Sequence, residues 1–460
     1  MLDKNVAADV LEAALSTGGD FAEIYMEQAI STGIGMVNGV VEKATSGISY
    51  GCGVRIFSCT KVIYAYTSNT SAENLIKLAK EAAEAVSYGK TASIIPWINR
   101  VVPNNHIIKN MPNTVVKKEV IALLRQAHSA SVAHDPLITQ TGHGYSDVIK
   151  DVLIANSEGL WASDRRVLTR VRVTAVASQG DEKQTGSCGP GAHCGFELFS
   201  GLNMEDLGRQ CAQTAVTMLK ADFCPGGIMP VVIENGFGGV IFHEACGHSL
   251  EATSVAKGAS EFADKMNQQI AADCVTAIDD GTIPNAWGSQ NIDDEGMPTR
   301  KNILIEKGML KSFLIDKMGG IKMGMEPTGS ARRESYKFPP TSRMSNTYIA
   351  NGPHTPEEII AATEYGLYAK KMGGGSVQPA TGEFNFAVQE GYLIRNGKIA
   401  EPVRGATLIG KGSQVLMDID KVGNNMLQEQ GVCGSISGGV PTNCGQPIIR
   451  VKALTVGGRN

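Results

Sequence analysis

Fifty-three of the 460 residues are glycine, and they stand between short runs rich in β-branched residues. Glycine accepts left-handed and closely approached backbone that other residues resist. Such a chain turns often and favours short strands over long helices. Residues 22–28, 34–41, 49–57 and 62–67 read as strands, and Asn38-Gly39 is a pair that closes an antiparallel hairpin. Val6, Val10, Leu11 and Ala14 share one helical face over residues 3–16, which Gly18-Gly19 end. Thr70 and Glu73 fit a capping box for a helix reaching about residue 86. Further helices are predicted over 115–131 and 203–219, with two or three strands between them from Asp147 on. Cys224-Pro225-Gly226-Gly227 reads as a linker, so the expected domains are 1–224 and 225–460. Beyond it come a strand over 228–234, a helix over 239–252 and a polar segment to about residue 300. Thr355-Pro356-Glu357-Glu358 starts another helix. Strands and tight turns follow, punctuated by Gly391, Gly397, Gly405, Gly410 and Gly412. The expected class is α+β: two domains of mostly antiparallel sheets flanked by helices.

Charge and hydropathy exclude several functions. Forty-two Lys and Arg against 46 Asp and Glu give a net charge of -4. With no clustered basic stripe, nucleic acid is not an expected partner. No run approaches the ~18 apolar residues of a membrane span. The first twenty residues mix charges into an amphipathic pattern without a signal-peptide core, so a cytoplasmic setting is expected. The ten cysteines include no C-x-x-C pair and suit small buried apolar positions better than a disulfide framework. Cys188, His193 and Cys194 lie close in sequence but lack a further donor pair.

The segment His243-Glu244-Ala245-Cys246-Gly247-His248 carries two of only eight histidines. Two imidazoles and a third ligand leave Zn²⁺ an open position for water, and an adjacent carboxylate can take that water's proton. A spacing of five places the rings about 140° apart on a regular helix. A single π-bulge would bring His248 back toward His243, and Gly247 removes a side chain where that distortion would crowd. The same letters also suit a helix-face histidine beside a solvated carboxylate. Candidates for the third ligand are Glu251, Cys433 in a glycine-flanked turn, and Cys444.

A second pattern alternates glycine and aromatic residues: Gly382, Phe384, Asn385 and Phe386, then Gly391 and Tyr392, leading to Arg404. Short strands of this kind let a foreign backbone approach and pair with an exposed edge. Taken alone, the pattern is better accounted for by plain sheet packing with hairpin glycines.

The phrase H-E-A-C-G-H-S-L-E-A resembles the signature of the TldD/PmbA family, in its catalytic TldD-like branch. DFAEIYMEQ, YGCGVRIFS, DVLIANSEGLWASDRR, FNFAVQEGYLIRNGKIAEPVRGATLIGKG and GQPIIRVKALTVGG extend the likeness along nearly the whole chain. The resemblance implies a cytosolic zinc metallopeptidase acting on unfolded peptides or short protein segments. It also implies a dimer, either of two copies or with a related subunit. The third ligand of the family maps onto Cys433; the Lys and Gln that usually follow it are missing here. The family's label as a modulator of DNA gyrase finds no support in the charge balance as direct DNA binding. The expected site is thus Zn²⁺ on His243, His248 and Cys433 with Glu244 as general base, and Arg404 or Tyr392 as oxyanion donor. The peptide would lie along residues 382–393. The rival expectation is a non-catalytic peptide-binding or assembly subunit whose metal is structural and fully ligated.

Overall fold

The computed structural model describes residues 2–86, 92–378 and 381–459. Helix α1 (Lys4–Ala14) is capped by the Asp3 side chain, which accepts from the Asn5 N–H, and it buries Ala7, Val10, Leu11, Ala13 and Ala14. The next four sequence runs merge into fewer, longer elements. Strands β1 (Phe21–Val37) and β2 (Val40–Ser58) pair antiparallel through Asn38-Gly39. Both turn residues have positive φ (47° and 80°), as a twisted two-residue hairpin demands. The polar middle of this hairpin hid its continuity, because β2 is solvent-exposed over its first half and buried only over its second. Strand β3 (Lys61–Thr67) extends the sheet. Helix α2 (Ala72–Ala83) is capped by Ser71, which accepts from the Asn74 N–H, rather than by Thr70. The Thr70 hydroxyl is engaged instead with the Tyr50 hydroxyl.

Helix α3 (Lys117–His134) precedes strands β4 (Ile138–Asn156), β5 (Leu160–Gln179) and β6 (Glu182–Cys188). The sheet runs β3-β2-β1-β4-β5, with β6 alongside β5. Helix α4 (Met204–Lys220), capped by Asn203, packs with α3 over one end of it, burying Cys211, Ala212, Ala215 and Val216.

The remaining residues build two more large sheets. In the first, β7 (Gly227–Ile233) lies between strand 365–378 and the last strand, 449–457. In the second, strands 309–310, 301–306 and 277–280 are followed by β8 (Asn346–Ile349). The other strands are β9 (Tyr365–Gln378), β10 (Glu383–Arg395), β11 (Lys398–Arg404), β12 (Thr407–Lys411), β13 (Leu427–Ser435), β14 (Gly438–Gln446) and β15 (Ile449–Gly457). Because β9 pairs with both β7 and β10, the strands β9-β7-β15-β12-β10 close into a ring. The other sheet ends in β8-β14-β13, with β13 at its edge. Most pairings are antiparallel, in keeping with the α+β class. A full capping box at Thr355 and Glu358 opens the helix Pro356–Ala361. Among the described residues no helix is long and apolar enough to cross a membrane.

Buried ion pairs join the first sheet to the later chain. Glu23 on β1 accepts from Arg55 on β2 at 2.9 Å and from Arg333 at 2.9 Å; Arg55 also meets Glu295 at 2.8 Å. Arg166 on β5 reaches Asp294 at 2.6 Å. None of these side chains is more than 5% exposed. Removing one partner strands the others' charge in a dry interior, which costs roughly 3–5 kcal/mol. Glu23→Gln should therefore lower the unfolding free energy by that much, measured by denaturant titration. A shift below 1 kcal/mol would mean that solvent reaches this junction.

Candidate metal centre

The site begins where β7 ends. Residues Gly236–Gly239 form a 3-10 turn leading into the short helix α5 (Val240–Ala245). A Cβ at Gly239 would lie 2.4 Å from the Gly445 carbonyl oxygen. Only glycine lets this turn rest directly on the backbone of β14.

The helix predicted over 239–252 is broken, and no π-bulge relieves the spacing. Helix α5 stops at Ala245; Cys246 leaves the helical region (φ -126°, ψ -45°), and Gly247–Leu250 forms a second 3-10 turn. Gly247 sits where a Cβ would meet the Met344 sulphur at 2.2 Å. This break does what the bulge was expected to do. The rings of His243 and His248 stand edge to face with centroids 5.2 Å apart.

Strand β13 brings Cys433 to them, its sulphur 3.2 Å from His248 Nε2. One donor atom each from His243, His248 and Cys433 lie within 4.8 Å of one another. A tetrahedral zinc site with ordinary bond lengths sets its donors roughly 3.3–3.7 Å apart, so small adjustments fit this set to an ion. His243 Nδ1 is buried without a hydrogen-bond partner among the described residues.

The charges are balanced in a way that suits a cation. Burial pushes the Cys433 thiol up, but hydrogen bonds from His243 and His248 outweigh it and pull its pKa to about 4. Burial pushes His248 down, while the Glu251 carboxylate and Cys433 raise it to about 10. His243 is raised likewise, against burial, by the sulphurs of Cys444 and Cys433. Without an ion, ring protons hold the place beside the thiolate that a metal takes.

Of the three alternatives for the third donor, Cys433 joins the cluster. Glu251 Oε2 lies 3.2 Å from His248 Nδ1, the outer position from which a carboxylate orients a ligating imidazole. Cys444 neighbours His243 on β14 but falls outside the three-donor set. Glu244 is about a third exposed (31%), with Oε2 3.7 Å from His248 Nε2.

The hairpin carrying Cys433 is held by residues that no motif marked. The buried guanidinium of Arg343 donates to the carbonyls of Cys433 and Gly438 and to Ser437 Oγ. Trp287 Nε1 donates to the Gly431 carbonyl at 2.8 Å, and Arg170 from β5 donates to that of Gln430. Arginine and tryptophan at unrelated positions carry no spacing signal; only the fold brings them here.

The predicted peptide-binding strand requires correction. Strand β10 is paired with β9 along one edge and with β12 and β11 along the other, so no edge remains for a foreign backbone. Phe384 is buried against Phe386, and Asn385 bonds Ser376. Gly382 occupies a turn with φ +72°. Gly391 pairs with Ala369 and Val403. Tyr392 donates to Glu390, and Arg404 is paired with Glu182 over the Phe223 ring. The glycine and aromatic alternation is barrel packing. Nor do Cys188, His193 and Cys194 converge: His193 stacks on His106 at 4.1 Å, and Cys188 faces Cys211.

Three family models match the chain: PmbA/TldA metallopeptidase domain 1 over residues 22–86, the central domain over 110–219 and the C-terminal domain over 226–458. A metalloprotease TldD homolog of Haemophilus influenzae is 35% identical over 453 residues, 96% of this chain and 93% of that protein. A metalloprotease of Methanothermobacter thermautotrophicus is 31% identical, covering 95% of this chain and 96% of its own length. In fold, the chain is similar to a candidate modulator of a DNA gyrase from Thermotoga maritima (TM-score 0.82, 21% identity, 99% of this chain and 100% of that one). It is similar also to TldE from Thermococcus kodakarensis (TM-score 0.76, 18% identity, 98% and 99%).

Cys433→Ser and His243→Ala should each abolish stoichiometric metal binding. Glu251→Gln should keep the metal but weaken its affinity about 10–100-fold. Elemental analysis and chelator competition measure both. Full occupancy in Cys433→Ser would move the third donor, with Cys444 beside His243 as first alternative.

Proposed function

The chain belongs to the PmbA/TldD metallopeptidase family, and on that footing we propose that it is a zinc peptidase hydrolysing extended, unfolded peptides. The observation that carries the reading is the cluster of His243, His248 and Cys433 with a partly exposed carboxylate, Glu244, 3.7 Å from one of its imidazoles. Two imidazoles and a thiolate form a donor set that suits zinc. When bound there, the ion would polarise the scissile carbonyl and lower the pKa of water. Glu244 accepts the proton of the attacking water and delivers it to the leaving amine nitrogen. Glu251 holds the His248 ring through Nδ1, keeping Nε2 turned toward Cys433. Arg343 fixes the hairpin that presents the sulphur. With Glu251 engaged at the back of that ring, the set keeps three protein donors, as a catalytic site does.

The edge that supports peptide binding is β13 rather than β10. It ends its sheet, carries Cys433, and exposes Leu427 and Val432 at 50% and 62%. A peptide adding to this edge runs alongside the donor cluster and is held through its backbone. Such binding demands an unfolded substrate and reads little sequence. A cytoplasmic setting and pairing with a second copy or a related subunit belong to the same reading and rest on the family resemblance.

Glu244→Gln should retain the metal and lose about 10²–10⁴-fold in hydrolysis of an unstructured casein-like substrate. Undiminished cleavage would remove Glu244 as the base; metal-loaded wild-type protein inert toward such substrates would favour a structural metal. Peptides N-methylated at alternate backbone amides should be cleaved at least about tenfold more slowly than their parents, whereas side-chain changes should matter less. Equal rates would exclude binding along a strand edge.

A further inference from the structure

A second pair of reactive groups lies in another part of the molecule. Strand β6 rests on helix α4 so closely that a Cβ at Gly186 would lie 2.0 Å from the Cys211 carbonyl oxygen. Alternate residues of a strand share a face, so Cys188, two positions on, also points at the helix. Its sulphur is 3.4 Å from that of Cys211. Both residues line a cleft of about 690 Å³, together with Lys371 and Glu429. The two thiols differ in setting. Cys188 is half-buried and faces the cleft, whereas Cys211 is 3% exposed. The Lys371 ammonium donates to the carbonyl of Ser187, next to Cys188.

We propose that Cys188 and Cys211 form a redox-active dithiol that a hydroperoxide converts to a reversible disulfide. The polarity of the pair supports the assignment of roles. The hydrogen bond from Cys211 holds the Cys188 thiol below its usual range, with help from Lys371 and against burial. Cys211 is raised by the same contact and by burial. A partly exposed thiolate beside a buried thiol is the arrangement of an attacking and a resolving sulphur. In the first step the Cys188 thiolate attacks a peroxide oxygen. An S–O bond forms, the O–O bond breaks, and the departing oxygen takes a proton from solvent. In the second step the Cys211 sulphur attacks that of Cys188. The S–S bond forms, the S–O bond breaks, and hydroxide leaves as water with the proton of Cys211. The two sulphurs together lose two electrons and the peroxide gains them. The bond would pin α4 to β6 across 23 positions of sequence. It uses none of the residues of the metal centre, so it holds or fails independently of the peptidase reading.

Trypsin cuts after Arg209, separating residues 184–209 from 210–220. The full chain, treated with a few equivalents of hydrogen peroxide, alkylated and digested, should yield these two peptides joined and lighter by two hydrogens. Dithiothreitol should release them. Fragment ions should place the bond on Cys188 rather than on Cys194 in the same peptide. The link should form at least about tenfold faster than the exposed Cys59 is lost to alkylation. In Cys211→Ser, a cyclic 1,3-diketone should trap sulfenic acid at Cys188. In Cys188→Ser, Cys211 should stay alkylatable. The proposal is overturned if both cysteines alkylate fully after Cys59 and Cys274 have oxidised. It is equally overturned if Cys194 makes the bond, or if wild-type Cys188 proceeds to sulfinic acid without a link. Oxidation of Cys433 appears on a separate peptide and enters neither outcome.

Discussion

The distance at which one glycine-rich turn can sit on a strand governs this molecule. Gly239 touches the Gly445 backbone so closely that any side chain would force the two segments apart. That contact sets α5 on β14, and β14 is hydrogen-bonded along its length to β13, which carries Cys433. The sulphur therefore lies at bonding range of two imidazoles because two backbones meet without side chains between them. Metal–ligand distances tolerate a few tenths of an ångström. A methyl group at position 239 would displace the helix by more than that, even with its rings intact.

Given that seating, the helix still has to turn its second histidine. A continuous helix would send His248 away from His243, and the chain solves this by stopping at Ala245. The cost is modest because the break is covered. The Cys246 N–H still reaches the Phe242 carbonyl, and the Ser249 N–H reaches that of Cys246. Met344 fills the space that Gly247 leaves open. From the other side Arg343, fully buried and without a carboxylate partner among the described residues, directs its charge to hairpin carbonyls. A cation of this kind holds the backbone in one position, since its two terminal nitrogens donate to two carbonyls and a hydroxyl of the hairpin and fix the loop together.

Local rules made part of this legible in the sequence. Asn38-Gly39, the helix start at Thr355-Pro356 and the alternation from Asp147 on each act over a few residues, and each appears where expected. The two histidines were readable as a ligand pair, while Cys433 was one of three candidate third donors, singled out only by the family resemblance. What escaped lies beyond local range. Long strands looked like short ones because half of β2 stands in solvent, where burial imposes no alternation. Strand β10 looked open because glycine and phenylalanine describe a barrel wall as well as a binding edge, and only pairing on both sides separates the two. Glu23 and Arg333 meet across 310 positions, a separation at which no spacing rule operates.

The cysteines show the same division between composition and surroundings. Ten scattered thiols suggested mostly small buried apolar residues, with one or two left as ligand candidates, and several fill the first role. Burial alone pushes Cys224 up to about 11, and it dominates at Cys52 and Cys194, both raised to about 12. Cys433 is buried and Cys188 half-buried, yet both are pulled the other way, because donors face the sulphur: two imidazoles in one case, a thiol and a nearby ammonium in the other. Burial without a donor makes a thiol inert, and burial with one stabilises its anion. The chemistry of each sulphur in this chain is therefore set by the neighbours that the fold supplies, and residue type and depth alone do not distinguish a filler from a ligand or a nucleophile.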